Sequence, residues 1–146
     1  MSDVLLAELV RGLADAVVIA DGEGTITFWN DAAHRLFGWS ASEAVGRTLD
    51  LIIPERLRAR HWAGYVQTMA TGRTRYGDRL LEVPAPHRDG RPLSIAFTVT
   101  LLREADSGPP TAIAAVLRDD TERWQERRQL RADLARFRAA GATEAP

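Results

Sequence analysis

Few residues in this chain are equipped for chemistry. Its imidazoles are His34, His61 and His87, and it has no cysteine. The missing thiol removes disulfides, thiolate metal sites, cysteine nucleophiles and any flavin photochemistry that runs through a cysteine adduct. His61 stands in PERLRARHWAGYVQTMATG, from Pro54 to Gly72, among Arg56, Arg58, Arg60, Trp62, Tyr65 and Met69. An imidazole there is either a metal ligand or an ordinary residue on a helix, and the alternating arginines suit a solvated edge. His34 has no carboxylate or cysteine at ligand spacing, and His87 lies in a polar turn, so both read as structural or solvated. Acids are scattered, with no pair spaced for acid–base work. There is no G-x-S-x-G, P-loop or H-E-x-x-H. The one G-x-G, Gly22-Glu23-Gly24, lacks a third glycine and a following helix, so it is no phosphate cradle. A non-catalytic protein is expected.

Bulk properties narrow the field further. A chain of 146 residues with 45% apolar content can close one hydrophobic core. A formal net charge of −1 gives no electrostatic reason for binding nucleic acid or an anionic membrane. All 19 basic residues are arginine, which reads as genome composition. The start, MSDVLLAELVRGLADAVVIADG, has early acids and no basic region, unlike a signal peptide. No apolar run approaches the roughly 18 residues of a membrane span. A cytoplasmic location follows as the default.

The elements that must position these residues are legible from period. Leu5, Leu6, Leu9, Val10 and Leu13 form a helical stripe over residues 2–13. Val17–Ala20 and Thr25–Trp29 flank the turn signal Asp21-Gly22-Glu23-Gly24 and predict a hairpin. Asn30 opens a short helix that Gly38 stops, and Ser40 with Glu43 has capping-box spacing for a second, ended by Gly46. LDLIIP reads as a buried connector, and Glu55–Ala70 as a longer helix closed by Gly72. Strands are expected over 74–83, 93–101 and 111–118, with PAPHRDGRP as a loop after the first. Leu93, Ile95, Phe97, Val99 and Leu101 alternate cleanly. Beyond Asp119-Asp120 the composition turns charged, with Leu130, Leu134 and Phe137 at helical spacing. The order predicts an α+β fold: a five-stranded antiparallel sheet with helices on one face, plus amphipathic helices at both ends. Its parts are an N-terminal helix at 1–14, a domain at 15–120, a C-terminal signalling helix at 121–140 and a frayed tail at 141–146.

From Leu9 to Arg123 the chain resembles PAS domains. DAVVIADGEGTITFWNDAAHRLFGWSASEAVGR, LIIPERLRARH, MATG, RDGRP and RDDTER match in order. The resemblance implies sheet order 2-1-5-4-3, a pocket between sheet and long helix, and a role as sensor or interaction module. Asn30 matches the family's asparagine after the second strand and is read as a cap alone. Asp119, Thr121 and Arg123 match its D-x-T-x-R ending. There Asp119 and Arg123 either fix the exit of the last helix or form an exposed pair of little energy. Pattern and family together nominate Ile19, Phe28, Leu36, Trp39, Leu51, Ile53, Trp62, Tyr65, Met69, Ile95, Phe97 and Val116 as pocket residues, with core packing as their other role.

The resemblance also bears on His61. The family's haem-binding oxygen-sensor kinases carry an axial histidine seven residues after the helix-opening proline and ten before the closing Thr-Gly. His61 keeps both spacings, to Pro54 and to Thr71. Those sensors add an arginine on the next strand, for which Arg79 is the candidate. The alternatives are therefore a haem gas or redox sensor through His61, a sensory module that dimerises and relays through its terminal helices, and a carrier for an apolar small molecule. A separate kinase or transcriptional regulator is the implied output partner, and a homodimer the implied assembly.

Overall fold

The structure, a computed structural model, describes residues 1–74 and 77–144. Ser2 accepts the Leu5 N–H and caps α1 (Asp3–Gly12). The hairpin follows as β1 (Ala16–Asp21) and β2 (Ile26–Trp29), then α2 (Asp31–Phe37) and α3 (Ala41–Ala44). Two single 3-10 turns, Leu49–Ile52 and Glu55–Leu57, lead into α4 (Arg58–Thr71). The chain then runs through β3 (Leu81–Pro86), β4 (Pro92–Leu102), β5 (Ala112–Asp119) and α5 (Thr121–Glu144).

The strands form one antiparallel sheet in the order β2-β1-β5-β4-β3. Register decides which side chains share a face, because successive residues alternate. Trp29, Val18, Ala115 and Val99 lie in one row across four strands, and Ala16, Leu117, Phe97 and Leu81 in the next. This inner face meets α2, α3 and the first 3-10 turn through Ala32, Ala33, Phe37, Ala44 and Ile52. Phe37 is 0% exposed and Ile26 1%. Full burial of such a side chain contributes about 1.5–3 kcal/mol. Trp29 and Phe37 pack with ring centroids 5.4 Å apart, and the Trp29 indole N–H donates to the Trp39 carbonyl at 2.8 Å.

Several expectations are corrected. Asn30 does far more than cap. Its Oδ1 accepts from Ala33 N at 3.0 Å and Val17 N at 2.9 Å, and its Nδ2 donates to the Val10 carbonyl at 3.0 Å and the Asp15 carbonyl at 3.1 Å. One buried amide thus ties α1, β1 and α2 together. The third strand is shifted. Of the expected span 74–83, residues 75 and 76 lie outside the described residues, and Gly77 N bonds Thr74 Oγ1 at 3.0 Å in a turn. The strand instead includes Pro84 and Pro86, which β3 accommodates as a sheet edge. The first turn expected in the long helix is 3-10, so α4 starts at Arg58. Asp119 does not pair with Arg123; its Oδ1 accepts from Thr121 N at 2.9 Å at the start of α5. That helix continues through residues 141–144, past its expected end, because Ala139 and Ala140 favour helix over fraying.

Candidate functional site

α4 presents Trp62, Tyr65 and Met69 at three- and four-residue spacing, so all three share one stripe. The stripe faces the β1–β2 turn. Asp21 builds that turn: its Oδ1 accepts from Glu23 N at 2.9 Å and Thr25 N at 3.0 Å. Gly24 then takes a left-handed φ of 87°, and a Cβ there would lie 2.2 Å from Trp62 Cη2. Glycine is required twice over, once by the backbone and once by the indole laid across it.

Polar tips hold this stripe. The Trp62 indole N–H donates to Asp50 Oδ1 at 2.8 Å. The Tyr65 hydroxyl donates to the Asp21 carbonyl. Burial, with the Asp21 carboxylate adding to it, pushes the Tyr65 phenol up to about 12, so it stays a donor at any physiological pH. Arg58 fixes the N-terminal end through the Ile53 carbonyl at 3.1 Å and the Asp50 carbonyl at 3.3 Å. Arg103 fixes the other end, donating to the Gly72 carbonyl at 2.9 Å and the Gly108 carbonyl at 3.1 Å. Tyr65 is the single buried side chain of α4.

His61 sits inside this cluster. Its ring centroid is 4.8 Å from Trp62, edge-on, and 5.8 Å from Tyr65. Its Nδ1 is sealed from solvent without a hydrogen-bond partner. Burial pushes the imidazole below its ordinary value, with Asp50 opposing, so the neutral form prevails at pH 7. A haem-ligating histidine normally donates its second ring N–H to an acceptor and needs open space at the first nitrogen. Here the Nδ1 has no acceptor and the ring is packed by two aromatics. Arg79 stands before β3, outside any strand. The residues present do not fit a haem. Among the described residues no three His, Asp or Glu side chains gather to hold a metal ion.

The other nominated residues divide by face. Ile95 is buried in the core; Leu36, Trp39, Leu51 and Phe97 pack against it. Ile53 ends the first 3-10 turn, half-buried. Ile19, Phe28 and Val116 were expected in the pocket but alternate onto the outer face of the sheet. Val18 and Ala115, not their neighbours, point to the core in this register. His34 is exposed, while His87 packs against Gly38 and reaches Asp89 at 3.1 Å. Clefts open elsewhere among the described residues. One of 420 Å³ opens where Thr71 and Arg73 meet Arg103 and the 106–110 loop. One of 160 Å³ lies on the outer face beside Asp15, Thr98, Arg118 and Asp120. Neither is lined by His61.

The sequence reading missed the network around Asn30 and the seat of Trp62 on Gly24. The Phe28-Trp29-Asn30 run before a helix signals only a cap, and nothing local links positions 38 residues apart.

Comparisons with known proteins agree with this architecture. A family model described as the PAS fold matches residues 5–119. An uncharacterized protein of Azorhizobium caulinodans is 35% identical over 117 residues, 80% of this chain and 16% of that protein. The sensor protein FixL of Bradyrhizobium diazoefficiens is 30% identical over 125 residues, 86% of this chain and 24% of that protein. The oxygen sensor protein DosP of Escherichia coli is 23% identical over 88% of this chain and 16% of that protein. The chain therefore spans at most about a quarter of the length of these relatives. Among solved structures, a PAS domain from Colwellia psychrerythraea superposes with a TM-score of 0.69 at 20% identity, covering 82% of this chain and 99% of that one. An RNA-binding light-oxygen-voltage receptor gives 0.69 at 19% identity, over 90% of this chain and 36% of that one.

Proposed function

The chain belongs to the PAS family, and from that premise we propose a cytoplasmic, non-catalytic sensory module that works as a homodimer and passes its state through its terminal helices to an output kinase or transcriptional regulator. One observation carries this. α5 grows directly out of β5, a strand inside the sheet, and then exposes an apolar stripe. Asp120 N bonds the Ser94 carbonyl at 2.7 Å, and Thr121 Oγ1 accepts from Ser94 N at 3.0 Å. A shift of β4 against β5 is thereby felt at the root of the helix. Leu130, Leu134 and Phe137 are 67%, 47% and 77% exposed, and α1 exposes Leu5, Leu6 and Leu9. Apolar stripes on two exposed helices call for a partner.

Sedimentation tests it. The intact chain is expected to be a dimer at tens of micromolar, and Leu134→Glu a monomer with unchanged circular dichroism. A monomeric intact chain at that concentration contradicts the proposal.

A second reading, a small apolar ligand beneath α4, has one observation in its favour. Ile95 and Leu117 of the inner face are buried, but Phe97, Val99, Leu101 and Ile113 on the same face are only half-buried. Mass spectrometry of an organic extract from the purified protein checks it. The haem alternative runs against the buried, unpartnered Nδ1 of His61, so purification from haem-replete cells should give no Soret band.

A further inference from the structure

Asp120 stands between β5 and α5 and is only 9% exposed. Its backbone is fully used: the N–H donates to the Ser94 carbonyl at 2.7 Å, and the carbonyl accepts from Trp124 N at 2.9 Å. Its side chain is not. Oδ2 is buried with no hydrogen-bond partner among the described residues. Arg127 senses this charge, yet it donates to Glu82 at 2.8 Å. A buried carboxylate oxygen that accepts nothing is among the costliest groups a fold can hold.

The Asp120 carboxylate lines the 160 Å³ cleft on the outer face of the sheet. Register explains the floor of this cleft. Glu82, Ala96 and Arg118 form one row across β3, β4 and β5, and Thr98 pairs with Val116 in the next. Asp15, and Arg123 from the first turn of α5, complete the lining used here. Most of these charges are matched. Arg118 holds Asp15 at 2.8 Å, and Arg127 holds Glu82 at 2.8 Å. Two charges are left over. Asp120 is one; Arg123, with no hydrogen bond or ion pair among the described residues, is the other.

One unmatched anion and one unmatched cation in a small cleft select a ligand that carries both charges. A metal ion lacks ligands, since among the described residues no three acids or imidazoles gather to hold one. A phosphate would face Asp15, Glu82 and Asp120. A neutral apolar molecule would leave Oδ2 without a donor. We propose that this cleft binds a small α-amino acid: its ammonium donates to the Asp120 carboxylate, its carboxylate accepts from Arg123, and its short side chain lies against Ala96 and Val116. Both bonds are charge-assisted, the stronger kind. The last torsion of an aspartate is soft, so Oδ2 turns toward the cleft at little cost. The Thr98 hydroxyl, which has no partner among the described residues, offers the ammonium a second acceptor. A volume of 160 Å³ equals that of about five waters, enough for a short side chain and too little for an aromatic one. This site lies on the sheet face away from the core and does not depend on the pairing of chains.

Calorimetric titration of the intact chain with L-alanine tests it, with methylamine and acetate as probes that carry one charge each. L-alanine should bind, and each one-charge probe should bind at least about tenfold more weakly, because a charge-assisted bond is lost. L-phenylalanine should not bind. Arg123 is exposed, so Arg123→Gln leaves the fold alone and should weaken L-alanine binding at least about tenfold. Asp120→Asn keeps the shape of the side chain and should weaken binding as much. Without ligand its melting temperature should be unchanged or higher, because a buried charge is gone. No binding of L-alanine, glycine or L-serine at about 10 mM overturns the proposal. L-alanine binding that is indifferent to Arg123→Gln, or matched by methylamine, overturns it as well.

Discussion

α2 and α4 both stand beside the β1–β2 hairpin, yet they are held by opposite means. α2 buries three of its seven residues, Ala32, Ala33 and Phe37, and is anchored by an asparagine whose bonds are all satisfied internally. α4 is twice as long and buries only Tyr65. It is kept in place by hydrogen bonds at the tips of Trp62, Tyr65, Arg58 and Arg103, several of them shared with solvent. Close packing resists small displacements, whereas a few polar tips can be released one at a time. The α2 side is thus a fixed frame, and the α4 side is the wall that can respond.

The contrast can be broken most easily on the rigid side. Phe37→Ala should destabilise by roughly 3–5 kcal/mol, since the ring is fully buried, packs against Trp29 and would leave a void in a closely packed core. Chemical denaturation measures it; a loss near 1 kcal/mol would mean that the frame is as loose as the wall. Asn30→Ala comes next, at roughly 3 kcal/mol, because it strands two buried N–H groups and two carbonyls at once. Asn30→Asp should recover little, as it lacks the amide donors to Val10 and Asp15.

On the responsive side the effects shrink. Tyr65→Phe keeps the ring and loses one hydrogen bond, so about 1 kcal/mol is expected by the same denaturation. His61 gives the smallest effect, seen through pH. Its folded value lies below the unfolded one near 6.5, so protonation favours the unfolded chain. The stability it supports is complete above about pH 6.5 and is lost as pH falls below it. Thermal melts between pH 7.5 and 5.5 should therefore fall more steeply for the wild type than for His61→Gln. Identical slopes would place the imidazole in solvent.

Much of this frame was readable beforehand. The alternation from Leu93 to Leu101 gave β4, because one face of a strand must be apolar when the other meets solvent. The hairpin turn, the capping box and the left-handed Gly38 were equally local signals. What failed was non-local. β3 was misplaced because prolines argue against a strand unless it is known to be an edge, and edge position is a property of the whole sheet. Ile19, Phe28 and Val116 were put on the wrong face because a continuous apolar run such as Val17–Ala20 does not state which of its residues point inward; pairing decides. Asn30 looked like a cap because three of its four partners, Val10, Asp15 and Val17, lie far back in the chain. At the site, the stripe of Trp62, Tyr65 and Met69 was visible from spacing, but its partners Asp50, Asp21 and Gly24 were not. The spacing of His61 from Pro54 and Thr71 suggested a ligand, whereas spacing could not show that its Nδ1 is buried without a partner beside Trp62 and Tyr65.

Hydrogen–deuterium exchange on the intact protein, resolved by peptide, tests most directly whether α4 is the responsive wall. Amides of residues 61–71 should exchange through openings of lower free energy than those of 16–21 and 32–37, and the Tyr65→Phe substitution should speed α4 alone. Equal protection of α4 and α2, with a uniform response to that substitution, would contradict a fixed frame with one movable wall.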